Sequence, residues 1–349
     1  MVSVIICAGK LNTDFRECID SVLKQTYEDF EVILVAGEDG LGVFETEAKK
    51  DPRIRVVNTN AKLPVGTMRN IGLNEAKGEY FCFVDADDLF YSDTSLERMI
   101  RSLSVENGDV LITNYIRRRG DEDIPAHSHG YTERDDVLSV DFRFRGFFSI
   151  GHLGYVWGKL YRTEFVRENE IHFPDTVYGE DKTFNLCLYA ARPDFVFSDQ
   201  ITYVYRVNKE GLSFQYKEDY KEIWEKDAIF FDRYLEQQKD SERFKDLSGF
   251  LMLFALIFHI RQEYDFGKNA KERVKVVEGY TTDDYVRQKV ELLLSNKIGD
   301  QIEDFSYRMG IDNLSRWIIK GKNDSIAFGL DKLFALSVDK KRSAVGREL

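Results

Sequence analysis

Proline is scarce in this chain, with five in 349 residues, and no Gly/Ser-rich or low-complexity run interrupts it. That excludes a Pro-rich stalk or a long flexible linker between modules. No internal repeat is visible, so a solenoid or propeller is not indicated. Cysteine is also sparse: Cys7, Cys18, Cys82 and Cys187 are widely spaced and form no C-x-x-C pair. That spacing indicates neither a disulfide framework nor a zinc site, and four reduced, buried thiols in a cytosolic protein are the expectation. The longest apolar run, FLMLFALIFHI at 250–260, has eleven residues. A membrane span takes about 20, so a buried helix is expected there rather than a spanning or interfacial one. The opening MVSVIICAG has no basic stretch and no cleavage pattern, and is not expected to be a secretory signal. Positive charge is in deficit, with a formal net charge of −12. An acidic chain is a poor general binder of nucleic acid, although a local basic pocket stays open. The densest basic run is IRRRG at 116–120, which reads as a solvated face or loop edge.

What is present is an ordinary globular composition, 43% hydrophobic and 32% charged, long enough for two domains. Val2–Cys7 is a continuous β-branched run that fits a strand buried on both faces. Residues 13–25 place Phe15, Cys18, Ile19, Val22 and Leu23 at helical spacing. Strands are predicted over Phe30–Ala36, Ile54–Asn58 and Tyr80–Val84, with helices over 43–50 and 68–75 between them. This alternation, at intervals of roughly 25 residues, predicts a doubly wound, mostly parallel α/β sheet. A helix over 96–103, strands at 110–115, 156–161, 195–198 and 201–206, and a helix over 183–191 follow; 117–150 reads as irregular. From about residue 217 the pattern is helical to the end, which divides the chain into domains 1–216 and 217–349.

Ligands of such sheets bind outside the carboxyl ends of the strands. There the chain places Ala8 and Gly9 after the first strand, Glu38 and Asp39 after the second, and Asp85-Ala86-Asp87-Asp88 after the fourth. Carboxylates this close repel one another, so either they are solvated turn residues or a cation sits among them. Two carboxylates joined by phosphate oxygens make the hard oxygen site that Mg²⁺ or Mn²⁺ prefers.

The succession SVII, CIDSVLKQTYEDFEVILV, MRNIGLNEAKGEYFCFVDADD, VWGKLYRTEF and YGEDKTFNLCLY, in that order over roughly 1–210, resembles the family 2 glycosyltransferases of GT-A fold. The resemblance implies a Rossmann-like catalytic domain, an inverting mechanism and a nucleotide-sugar donor, with a UDP-sugar expected. It implies that Asp87 holds a Mn²⁺ or Mg²⁺ ion bridging the donor diphosphate, with Asp85 as a second ligand or a ribose contact and Asp88 capping the next turn or orienting Asp87. Asp181 is placed as the base that takes the proton of the acceptor hydroxyl, with Glu180 beside it. Arg69 and Asn70 fall in the segment resembling A-R-N-x-G and are assigned to the donor; Gly66 and Gly72 serve close backbone approach. Trp157 is either a wall of the sugar pocket or a core residue, and Lys159 is placed to reach a carboxylate or phosphate. Arg206 and Ser213 resemble the segment that closes over the diphosphate. The implied acceptor is a glycan or lipid-linked glycan of the bacterial surface. The helical region is left to acceptor binding, self-association as a homo-oligomer, or peripheral contact with the inner face of the cytoplasmic membrane. Two departures stand out: Cys7 occupies a usual proline position, and AGEDG replaces the usual paired-Asp, Gly-Ser stretch. Two other readings stay open, a degenerate domain that binds a glycan or a partner, and a sugar nucleotidyltransferase. The latter expects a Gly-rich loop with a lysine after the first strand, of which AGKLN has only a hint.

Overall fold

A computed structural model describes residues 1–8, 14–37, 41–125, 128–208, 211 and 214–320. The chain divides into two compact units, Met1–Asp136 with Ser149–Ser213, and Val137–Phe148 with the residues from Phe214 on.

The first unit begins with β1 (Val2–Ala8), α1 (Phe15–Leu23), β2 (Phe30–Ala36), α2 (Leu41–Ala48), β3 (Ile54–Asn58), α3 (Val65–Glu75) and β4 (Tyr80–Phe83). These four strands pair in parallel in the order β3-β2-β1-β4. Right-handed crossovers through helices are the connection parallel strands require. The β-branched run of β1 is buried on both faces, and Phe15, Cys18, Ile19 and Val22 of α1 are the helix residues that pack against the sheet. Next come β5 (Leu89–Phe90), α4 (Ser95–Glu106), β6 (Val110–Arg119) and β7 (Glu122–Pro125). The unit closes with β8 (Lys159–Arg162), α6 (Thr163–Glu168), α7 (Glu180–Ala190) and β9 (Phe195–Arg206). β8 joins β4 antiparallel, then β6, β9 and β5 extend the sheet, so half of it is mixed rather than parallel.

Three local expectations change. The stretch 117–150 is not irregular throughout: β6 runs on to Arg119, folds back as β7, and 140–149 is helical. A run of like charge hid the end of the strand, because Arg117, Arg118 and Arg119 carry no apolar signal although the segment pairs with β7 on one side and β9 on the other. The segments at 195–198 and 201–206 form one strand with irregular register against β6. Glu180 and Asp181 do not precede α7 but form its first turn: Gly179 takes a left-handed conformation (φ 87°) at the N-cap, and the helix starts at Glu180, three residues before the expected Thr183.

The second unit holds α5 (Val140–Phe144), which runs into a π-helical turn at Arg145–Ser149, then α8 (Tyr220–Glu236), α9 (Asp246–Asp265), α10 (Ala270–Thr281), α11 (Asp284–Ser295) and α12 (Phe305–Lys320). Helix α9 contains the apolar run and is buried along most of its length. Among the described residues no helix is long and apolar enough to cross a membrane. A buried ion pair anchors this unit: Arg143 donates through Nε and Nη2 to the two oxygens of Asp246 at 2.8 and 3.0 Å. Its remaining donors reach the carbonyls of Leu138 and Arg243. A bidentate pair backed by two carbonyl acceptors is what makes such burial tolerable.

Helix α3 lies close on the parallel half of the sheet. A Cβ at Gly72 would stand 2.5 Å from Ile5 Cγ2 and 3.2 Å from Val35 Cγ2. Both neighbours are β-branched core residues with no room to turn aside. Gly72→Ala is therefore expected to destabilise the protein by about 1–3 kcal/mol despite its better helix propensity, measured by urea unfolding. A stabilised variant would show that α3 can lift from the sheet without cost.

Candidate active site

Arg69 sits in the second turn of α3 and is buried at 4% exposure. Its guanidinium gathers three carboxylates. Nη2 donates to Asp85 Oδ1 at 2.8 Å, and Nη1 donates to Glu180 Oε1 at 2.9 Å and to Asp181 Oδ1. The cation also lies over the rings of Phe83 and Phe173 at 5.9 and 5.6 Å. The D-x-D turn after β4 and the first turn of α7 are thereby joined through one side chain.

One guanidinium does not balance three carboxylates. Burial raises Asp181 to about pKa 8, with Arg69 opposing and Glu180 adding to the shift. Burial likewise raises Asp85, against the pull of Arg69 and with a further push from Asp181. Asp181 keeps 24% of its side chain exposed, so solvent and a ligand can reach it. A carboxyl group held near neutrality at an accessible helix N-terminus suits proton transfer.

Asp88 has a different task from its neighbours. It is buried, accepting from the Arg206 backbone N–H at 2.7 Å and from the Tyr203 hydroxyl at 2.8 Å. The Tyr203 oxygen in turn accepts from the Asp85 N–H at 3.1 Å. The turn is closed by Asp88 N–H to the Asp85 carbonyl at 2.9 Å. Asp85 and Asp87 on either side of Ala86 both stay partly exposed. Asp87 is raised by burial and by Asp85. The Arg206 guanidinium reaches the Asp87 carbonyl at 3.4 Å and pairs with Glu17.

Other expected site residues have their side chains engaged elsewhere. Asn70 exchanges both amide groups with the backbone of Phe173, at 2.9 and 2.8 Å. Trp157 is 4% exposed and stacked against Tyr155, Tyr203 and Tyr205, the core arrangement of its two alternatives. Lys159 is fully enclosed, and its Nζ donates to the carbonyls of His152, at 3.0 Å, and Tyr155. Burial lowers it to about pKa 7. It touches no carboxylate among the described residues, because the carbonyls of the 152–155 loop turn inward onto it. Ala8 ends β1, accepting from Gly37 N–H at 3.0 Å, and Ala86 is partly exposed between the two carboxylates. Gly9, Glu38, Asp39 and Ser213 lie outside the described residues.

Two positions escaped the sequence reading. Tyr203 orders the D-x-D turn, and the alternation in ITYVYR was the signal for its inward face. Asn185 donates to the carbonyls of Asp181 at 2.9 Å and Tyr155 at 3.1 Å. An asparagine one turn into a helix carries no such signal, because its partners are chosen by packing.

Two partly exposed carboxylates, one of them with a single oxygen engaged by Arg69, fit a hard divalent cation, with phosphate and water oxygens completing the shell. Among the described residues, no group of three or more His, Cys, Asp or Glu side chains is placed to hold a metal by itself.

Residues 3–167 match the model of the family described as Glycosyl transferase family 2. The uncharacterized glycosyltransferase EpsJ of Bacillus subtilis (strain 168) is 30% identical over 220 residues, 61% of this chain and 63% of that protein. The poly(ribitol-phosphate) beta-glucosyltransferase of Bacillus spizizenii is 28% identical over 218 residues, 60% of this chain and 33% of that protein. The chain thus spans less than two thirds of either relative. The crystal structure of S. aureus TarS 1–349 in complex with UDP-GlcNAc superposes with a TM-score of 0.68, over 91% of this chain and 90% of that one, at 16% identity. That likeness establishes the shared GT-A fold.

The raised pKa of Asp181 has a consequence for stability. Relative to an ordinary carboxyl, the folded state gains a proton between about pH 4 and the folded value of about 8. Stability from this group is present below that window and lost as pH rises through it. Asp181→Asn removes the loss. The variant is expected to match the wild type near pH 4 and to be more stable at pH 9 by on the order of 1–3 kcal/mol, read by denaturant unfolding at both pH values. A difference independent of pH would contradict the raised pKa.

Proposed function

We propose that this chain, a member of glycosyl transferase family 2 through residues 3–167, is an inverting enzyme that moves a hexose or N-acetylhexosamine from a UDP-sugar to a hydroxyl of a glycan acceptor. The observation that carries this reading is the Arg69 cluster, which holds the D-x-D carboxylate Asp85 and the carboxyl of Asp181 on one guanidinium. A donor held at the first and a base at the second are the two requirements of a single displacement. A UDP-sugar is in keeping with the UDP-GlcNAc bound to TarS.

In this reading Asp181, in its ionised form, takes the proton of the acceptor hydroxyl as that oxygen attacks the anomeric carbon. The bond from the anomeric carbon to the diphosphate oxygen breaks on the opposite side, and its electron pair leaves with the nucleoside diphosphate. Attack opposite to departure inverts the configuration. Arg69 keeps Asp181 oriented, and Glu180 behind it shares that cation. Asp87, with Asp85 through the oxygen not engaged by Arg69, would hold a Mn²⁺ or Mg²⁺ ion. When bound, the ion would supply Lewis-acid neutralisation of charge on the departing diphosphate. Tyr203 and Asp88 keep that turn in place from below. The acceptor in this reading is a glycan or lipid-linked glycan of a bacterial surface polysaccharide, cell-wall polymer or glycoprotein, extended on the cytoplasmic side with peripheral contact at the membrane face.

The test is nucleotide release from a panel of UDP-, GDP- and dTDP-sugars with Mn²⁺ and, separately, with EDTA. Release from one UDP-sugar is expected, abolished by EDTA and by Asp87→Ala. Asp181→Asn is expected to lower kcat by about 10²–10⁴-fold with a donor KM within a few-fold of wild type, the signature of a lost proton acceptor. No release from any donor, with no nucleotide binding by calorimetry, would reject the transferase reading.

A further inference from the structure

The basic run 116–120 is not an isolated loop edge. It is the end of β6, and parallel pairing sets Tyr115 opposite Tyr203, Arg117 opposite Tyr205 and Arg118 opposite Arg206. Residues two apart on paired strands share a face, so Tyr115, Arg117, Tyr203 and Tyr205 stand together. Trp157 completes the group, stacked 4.9 Å from Tyr203, 5.5 Å from Tyr205 and 4.5 Å from Tyr155. Trp157, Tyr115 and Tyr203 are buried, while Tyr155 and Tyr205 are partly exposed and Arg117 is exposed. Parallel pairing sets Arg117 directly opposite Tyr205 and two residues on from Tyr115, and the side chains of Tyr115, Tyr155 and Tyr205 are its electrostatic neighbours.

Arg118 behaves as a solvated strand residue should, pairing with Asp123 across the hairpin at 2.6 and 3.0 Å. Arg117 differs: among the described residues no carboxylate pairs with it, in a chain of net charge −12. The platform also has a fixed place. At one end Tyr203 and Arg206 bind Asp88 under the D-x-D turn. At the other, the Tyr155 carbonyl shares the Asn185 amide with the carbonyl of Asp181. It therefore runs between the two halves of the candidate active site.

We propose that this platform is an acceptor subsite for a polymer bearing an oxyanion, phosphate or carboxylate, with Arg117 and the tyrosine hydroxyls holding the anion and the Tyr155 and Tyr205 rings covering the sugar or polyol beside it. The proposal rests on reading the site as a glycosyltransferase, and it names the acceptor's charge. A guanidinium with nearby hydroxyls offers a fork of donors matched to two anionic oxygens. An aromatic ring with a polar tip suits a ligand that is apolar on one side and polar at its rim. An acidic enzyme working on an anionic polymer needs a cation that its own carboxylates do not neutralise, and among the described residues Arg117 is such a cation beside the site.

Calorimetry with three probes tests it: a synthetic glycerol-phosphate oligomer, an oligogalacturonate and neutral maltotetraose. The wild type is expected to bind one charged probe at least about tenfold more tightly than the neutral one, with affinity falling as salt rises. Arg117→Gln is expected to remove most of that preference, and Arg117→Lys to restore part of it, as a point charge without the fork. Preference for the phosphate or for the galacturonate probe identifies which oxyanion is taken. Equal binding of all three probes, binding of none, or charged-probe affinity unaffected by Arg117→Gln would each overturn the proposal. Nucleotide release from a UDP-sugar without acceptor is measured alongside on the wild type. Its failure would strike the transferase reading, whereas probe binding reports on the platform alone.

Discussion

The buried guanidinium of Arg69 is the constraint on which the catalytic unit turns. A lone arginine inside a protein is costly, and this one is held by three carboxylates from two distant motifs and by two aromatic faces. The same contacts that satisfy the cation fix where β4 ends and where α7 begins relative to α3. Gly66 and Gly72 allow the helix to come close enough for this. A Cβ at Gly66 would meet Glu180 Cγ and the Pro174 carbonyl at 3.0 Å. Backbone approach and electrostatics thus depend on each other: the helix must sit low for the arginine to reach, and the arginine holds the acids where the helix arrives.

The cluster is left with more negative than positive charge, and the structure meets this in stages. Asp88 is withdrawn into the interior, where a tyrosine hydroxyl and a backbone N–H bind its two oxygens. Asp85 shares Arg69. Asp181 is pushed toward its protonated form, and only Asp87 is left to answer for its charge at the surface. Four acids of one kind therefore take four environments, set by burial, by the shared guanidinium and by the partners of each oxygen.

The aromatic stack around Trp157 supplies the rigidity under this arrangement. It joins β6, β9 and the loop before β8 into one slab beneath the D-x-D turn. The helical unit relies on a comparable device of its own. There Asp246 holds Arg143 in a bidentate pair, and Asp232 gathers Ser248, Tyr285 and Lys289. In both units a single buried charge is bound from several elements, and this sets their packing more tightly than apolar contact alone.

Much of the architecture was legible in the chain. The continuous β-branched runs of β1 and β2, the helical spacing of α1 and the apolar α9 follow from periodicity, because burial on two faces or on one leaves a different pattern. The D-x-D turn and the Glu180-Asp181 pair were also legible as residue types at the ends of elements. What the sequence could not decide was which partner each polar group would choose. Arg69 might have faced phosphate or water; packing placed it on three acids. Trp157 could have been a pocket wall or a core residue, and Lys159 a charge partner; the fold put one in a buried stack and turned the other onto backbone carbonyls. The basic run on β6 read as a solvated edge until parallel pairing with β9 set Arg117 beside Tyr205. Local pattern determined the elements, since it depends only on near neighbours along the chain. The partners were decided by long-range pairing, which no spacing along one chain encodes.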